Sequence, residues 1–101
     1  MSRAKRTDAN QPAIVDALRK CGAVVDIVSM VPNLGYDLVV QYRGVVVKCE
    51  VKDGDKSPSR QQLTPSEIEA QRVSGDKYAV VASVDDALAL LDNINKCRGI
   101  R

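Results

Sequence analysis

At 101 residues the chain is long enough for one hydrophobic core and too short for two. It has no histidine, which excludes histidine-based nucleophilic triads and histidine-ligated metal centres. Its three scattered cysteines lack CxxC spacing, which argues against structural zinc. With 15 basic and 13 acidic residues the net charge is only +2, so attraction for a polyanion must come from how the charges are distributed.

Residues 1–9 read as a flexible basic arm carrying Arg3, Lys5 and Arg6. No apolar stretch follows it, so a secretion signal is not expected. Asp8 or Asn10 is expected to cap a first helix that tolerates Pro12 in its first turn. Ile14, Val15, Leu18 and Cys21 recur at helical spacing, and Gly22 ends the run. Residues 23–28 read as a strand. Residues 30–35 form a loop, and two strands follow over 36–42 and 45–52 with Arg43-Gly44 as the turn between them. Residues 53–59 are polar and rich in Gly, Pro and Ser, and so form a loop. Thr64, Pro65 and Glu67 spell a helix start with a capping box, and that helix stops at Ser74-Gly75. Residues 78–82 are an apolar strand. Ser83 then caps a last helix with Ala87, Leu88, Leu91 and Ile94 on its core face. The order is αβββαβα, an α/β fold. The first three strands form a meander, and the fourth joins after a helical crossover to give a mixed four-stranded sheet flanked by helices. Residues 10–95 are expected to form the single domain, with 96–101 as a basic tail.

The pair of central strands carries the chemistry. Asp37 opens one, and Glu50-Val51-Lys52 closes the other after twelve intervening residues. A hairpin turning at Arg43-Gly44 sets Asp37 beside Glu50. Glu50 and Lys52, two apart on a strand, point to the same face. Two carboxylates and one amine therefore converge at one end of a sheet. Mg²⁺ wants oxygen ligands and takes one or two carboxylates from a protein. Asp37 and Glu50 supply these, and the carbonyl of Val51 adds a third oxygen. Lys52 supplies a point charge that orients a water or stabilises a phosphorane-like transition state. The competing reading is an ordinary ion-paired ladder on adjacent strands.

In the same order and with the same spacings stand Asn10-Gln11 opening a helix, Gly35-Tyr36-Asp37-Leu38-Val39-Val40, Glu50-Val51-Lys52-Asp53-Gly54, Pro58-Ser59-Arg60 and Leu63-Thr64-Pro65-Ser66-Glu67. From about Asn10 to Leu91 the chain resembles the PD-(D/E)XK nuclease superfamily. It is most similar to small phage and archaeal members, the Holliday-junction-resolvase-like enzymes and the stand-alone VRR-NUC domain. Tyr36 stands where the family usually has proline, and Gln11 where many relatives have a helix-borne glutamate. A neutral amide cannot be an anionic metal ligand.

The resemblance implies a restriction-endonuclease-like core. It also implies a Mg²⁺-dependent endonuclease, with Mn²⁺ as a substitute, that cuts DNA of branched or junction form. Asp37, Glu50, Lys52 and Gln11 are the expected catalytic residues; Asp37, Glu50 and the Val51 carbonyl are the expected metal ligands. Gln11 would orient a water or touch a phosphate, against an alternative as a surface residue of the first helical turn. Lys56 and Arg60, in the loop after Lys52, and Arg6 in the arm are the expected DNA contacts. Glu67 is explained by its capping box without a catalytic role. A non-catalytic nucleic-acid-binding module with the same fold is the alternative function. A homodimer is expected, because a small domain has a narrow footprint and a junction needs paired cuts; apolar Val28, Met30, Val31 and Leu34 crowd one loop. Reduced thiols and the lack of an apolar run of roughly eighteen residues point to a cytoplasmic protein with no membrane span, and the resemblance implies a bacterial or phage-infected cell.

Overall fold

A computed structural model describes residues 8–53 and 62–97. The elements are α1 (Gln11–Lys20), β1 (Val24–Ile27), β2 (Leu38–Tyr42), β3 (Val45–Val51), α2 (Pro65–Ser74), β4 (Tyr78–Val81) and α3 (Val84–Cys97), with a 3₁₀ turn at Gly75–Lys77. Lys56, Arg60 and Arg6 lie outside the described residues. Among the described residues no helix is long and apolar enough to cross a membrane.

The sheet order is β1-β2-β3-β4. β1 and β2 pair antiparallel, as do β2 and β3, while β4 runs parallel to β3 after the crossover through α2. The β2–β3 hairpin is set by its turn. Tyr42 faces Val45 in register, and Arg43 and Gly44 have φ of 51° and 81°. Two consecutive positive φ values twist the chain in the sense that matches a right-handed hairpin, and glycine takes the second at little cost.

Alternation then sorts the side chains of the sheet into two faces. Val25, Leu38, Val40, Val47, Cys49, Val51 and Val81 are buried on one face, with Ile14, Val15 and Leu18 of α1 and Ala87, Leu91 and Ile94 of α3 in the same core. The opposite face holds Asp37, Glu50, Lys52 and Tyr78, the charged end of the sheet, which α2 adjoins.

Several boundaries differ from expectation. Leu88 is 40% exposed rather than buried. It lies about 100° round the helix from Ala87, whereas Leu91 and Ile94 fall within the same stripe as Ala87. α3 runs on through Cys97 instead of giving way to a tail after Asn95. The Asn10 side chain makes no capping bond to α1. Residues 36 and 37 precede β2 proper, and Lys52 follows the end of β3.

The open edge of β1 is blunted. Val28 N–H bonds the Asp37 carbonyl, so by antiparallel alternation the Val25 carbonyl points outward. The Arg19 guanidinium donates to it at 2.7 Å. A charged side chain on an edge carbonyl disfavours pairing with another strand.

The thiols are sorted by the same architecture. Cys21 and Cys97 are exposed and Cys49 is buried. Burial, with the nearby charge of Asp37, pushes the Cys49 thiol up to about 12. Since the thiolate is the reactive form, an alkylating reagent at mildly alkaline pH should modify Cys21 and Cys97 and spare Cys49 until denaturant is added. Peptide mass spectrometry reads this directly, and early Cys49 labelling in the native protein would contradict the packing.

Candidate active site

The hairpin delivers the central pair. Asp37 N–H donates to the Cys49 carbonyl at 2.8 Å, and Asp37 Oδ2 accepts from Val51 N–H at 2.8 Å. One carboxylate oxygen is thus locked to the backbone of β3, one residue from Glu50. Glu50 faces Val80 across the parallel pair, and Lys52 N–H donates to the Val81 carbonyl at 2.9 Å. The ends of β3 and β4 are tied together there by Asn10, whose amide donates to the carbonyls of Lys52 at 3.1 Å and Ala82 at 2.9 Å. Asn10 therefore staples the start of α1 to the backbone of Lys52.

Asp37, Glu50, Lys52 and Glu67 are 4%, 3%, 9% and 5% exposed. Lys52 Nζ lies 3.6 Å from Glu50 Oε2 and 2.8 Å from Glu67 Oε1. Glu67 Oε1 also accepts from Thr64 N–H at 2.9 Å, closing the capping box of α2. The same oxygen thus caps a helix and pairs with a lysine from the sheet. The capping box was legible in the sequence; the pairing was not. One available signal was the weak apolar patterning of α2, whose Ile68 and Val73 are exposed and whose single buried residue is Glu67.

Charges here depend on one another. Desolvation favours neutral Lys52, but its hydrogen bond to Glu67 and the charges of Glu67, Glu50 and Asp8 outweigh it and raise its pKa. Desolvation likewise penalises ionised Glu67, yet bonds from Lys52, the Thr64 backbone and the Glu50 side chain, with the Lys52 charge, hold its pKa below the ordinary glutamate range. Tyr78 is pushed strongly upward by burial and then by Glu50, Glu67, Asp37 and Cys49, which marks its hydroxyl as a neighbour of the same acidic cluster.

Asp37, Glu50 and Lys52 are brought together, with Glu67 added. Gln11 is placed differently from a surface residue: it is buried, and its amide donates to Ser29 Oγ at 3.3 Å rather than into the cluster, while Oε1 has no hydrogen-bond partner among the described residues. Tyr36 has the Lys48 ammonium 5.2 Å from its ring centroid.

Among the described residues no three His, Cys, Asp or Glu side chains are grouped to hold a metal ion. The donors at hand are hard oxygens, three carboxyl groups to one ammonium. Such a set fits Mg²⁺ taken by two carboxylates, with the remaining positions left to backbone carbonyl, water and phosphate oxygens. No family model, curated protein or solved structure matches the chain.

The Glu67–Lys52 pair makes a stability prediction. The folded pKa of Glu67 is depressed, so its contribution is present above the unfolded pKa and fades as pH falls through the folded value. Glu67→Gln should destabilise the protein at neutral pH by roughly 3 kcal/mol, the scale for breaking a buried pair from one side. The gap to wild type should narrow in strong acid. Denaturant titrations at both pH values test this, and a gap that does not change with pH would assign the loss to the cap alone.

Proposed function

We propose that the chain is a metal-dependent deoxyribonuclease of the PD-(D/E)XK kind, hydrolysing phosphodiester bonds in branched or junction DNA. The observation that carries this reading is the convergence of Asp37, Glu50 and Lys52 at one end of the β2–β3 pair, on the sheet face opposite the apolar core. In this reading Asp37 and Glu50 hold Mg²⁺, with Mn²⁺ as a substitute and the Val51 carbonyl as a third oxygen. The bound cation supplies Lewis acidity, which lowers the pKa of a water and offsets phosphate charge. Lys52, kept as an ammonium by its two glutamates, can donate a hydrogen bond to a phosphate oxygen as negative charge builds there. Glu67 aims that ammonium. Lys56, Arg60 and Arg6 grip the phosphate backbone.

One observation favours a second reading. Asp37, Glu50 and Lys52 are all buried, and a network that only fastens α2 to the sheet would use the same contacts. A nucleic-acid-binding module without catalysis would then retain the fold. A Mg²⁺-dependent cleavage assay on a panel of branched and linear DNAs separates the two. Under the nuclease reading, Asp37→Asn and Glu50→Gln abolish cleavage and keep the fold. Lys52→Ala lowers turnover by roughly two orders of magnitude, the scale of one preorganised electrostatic group, with DNA affinity little changed. Wild-type rates in either carboxylate variant would refute the assignment.

The reading includes a homodimer that places two sites on opposing strands. Met30 and Val31 are exposed in the loop after β1, an apolar surface suited to a two-fold contact. The Arg19 block on the β1 edge turns the contact toward this loop and away from edge pairing. Light scattering at micromolar concentration should give twice the monomer mass, and Met30→Asp should return it to the monomer. A wild-type monomer that cuts both junction strands in concert would rule the dimer out.

A further inference from the structure

Asp37 is anchored on one side by β3, through its own N–H and through Val51 N–H. Its other side is the loop that leads into it, and a second anchor is found there. Tyr78, the first residue of β4, is buried, and its hydroxyl donates to the Gly35 carbonyl at 2.7 Å. Gly35 stands two residues before Asp37. It has φ of +91°, and a Cβ built on it would lie 2.4 Å from the Ser66 carbonyl oxygen and 2.8 Å from Ala70 Cβ. The loop backbone therefore presses directly on α2, at the residue next to Glu67. Tyr78 itself faces Lys48 in the β3–β4 register and adjoins the acidic cluster.

Three elements thus meet at one glycine. The loop brings Asp37, α2 brings Glu67, and β4 brings the hydroxyl that ties the loop down. A buried tyrosine hydroxyl needs a partner, and the partner here is the carbonyl that fixes the approach to Asp37. Among the described residues α2 buries only Glu67 and no apolar side chain. Its seat depends on the Lys52 pair and on the close contact that Gly35 permits.

We propose that Tyr78 is a positioning residue for the reaction: by holding the Gly35 carbonyl it sets where Asp37 and Glu67 meet around Lys52. The inference rests on the nuclease reading above. It differs from a general packing role in being directional. Removing the hydroxyl leaves the ring in place and frees only the loop, so the loss falls on the geometry of the carboxylates.

The test uses Tyr78→Phe in the full chain. Displacing reacting groups by about 1 Å costs up to roughly 10²-fold in rate. The expected result is a fall in kcat of about 10- to 100-fold with KM for a junction DNA within about twofold of wild type. Mn²⁺ alone, titrated by calorimetry, should bind about tenfold more weakly, on the same geometric argument. Amide hydrogen exchange should quicken at Asp37 and Val51 while the α1 and α3 amides keep wild-type protection. If kcat and Mn²⁺ affinity match wild type, the proposal is overturned. If exchange quickens throughout α1 and α3 as well, Tyr78 is a stability residue and the proposal also fails. Should Tyr78→Phe not fold, Gly35→Ala drives α2 from the loop with the hydroxyl intact and is read by the same measurements. Wild-type protein that neither cuts DNA nor binds Mn²⁺ refutes the nuclease reading itself; a functional wild type with an indifferent Tyr78→Phe refutes only the positioning role.

Discussion

A buried ammonium must be matched by buried carboxylates, and Lys52 is matched twice, by Glu67 at 2.8 Å and by Glu50 at 3.6 Å. Isolated, any of these charges would carry a desolvation penalty of several kcal/mol. Together they offset that penalty for one another, and they fix more than charge. α2 has Ile68 and Val73 exposed and buries only Glu67. An amphipathic helix docks by its apolar stripe; this one docks by a carboxylate and by the bare backbone of Gly35. The seat of α2 and the charge of Lys52 are therefore one constraint viewed from two sides.

The rest of the fold gives that constraint its rigidity. The apolar face of the sheet is covered by α1 and α3 and contains the fully buried Ile14, Leu18, Leu38, Val40 and Cys49. Strand alternation then obliges the neighbours of those residues to face the other way. Cys49 and Val51 point into the core, so Glu50 and Lys52 cannot. A register slip of one residue would exchange the two sets and put both charges in the hydrocarbon core. The hydrophobic pattern that folds the sheet thus also aims the candidate site, and the Arg43-Gly44 turn, with both φ values positive, selects the register.

This explains which parts could be read from the sequence. Asp37 and Glu50 are joined by a short hairpin whose turn residues and valine runs state their own geometry. The αβββαβα order and the capping box of α2 follow from local signals of the same kind. The contacts that escaped notice span the chain. Asn10 reaches the Lys52 carbonyl from 42 residues away, and Tyr78 reaches Gly35 from 43. Each depends on how α1 and β4 sit once the core has formed, and neither leaves a periodic trace. Asn10 looked like a cap because asparagine at a helix start usually is one; its amide instead reaches two carbonyls just past the ends of β3 and β4. Leu88 misled for a simpler reason, since an apolar residue next to a core position on a helix lies outside the stripe.

Glu67 shows how a local explanation can hide a second role. A glutamate three residues after Thr64 is fully accounted for by the capping box, so nothing in the sequence asks for more. Yet a cap needs only one lone pair of one oxygen, and a carboxylate has several acceptor sites. Glu67 Oε1 accepts from both Thr64 N–H and Lys52 Nζ. The cap holds the carboxylate in a fixed rotamer at the start of α2, and that fixed position is what a lysine on a neighbouring strand requires of a partner. A glutamate free on a helix surface would lose side-chain entropy on forming such a pair; one already committed to a cap has lost it. Local capping and long-range pairing therefore reinforce each other through a single atom, and the same arrangement places a charged, oriented ammonium beside Glu50.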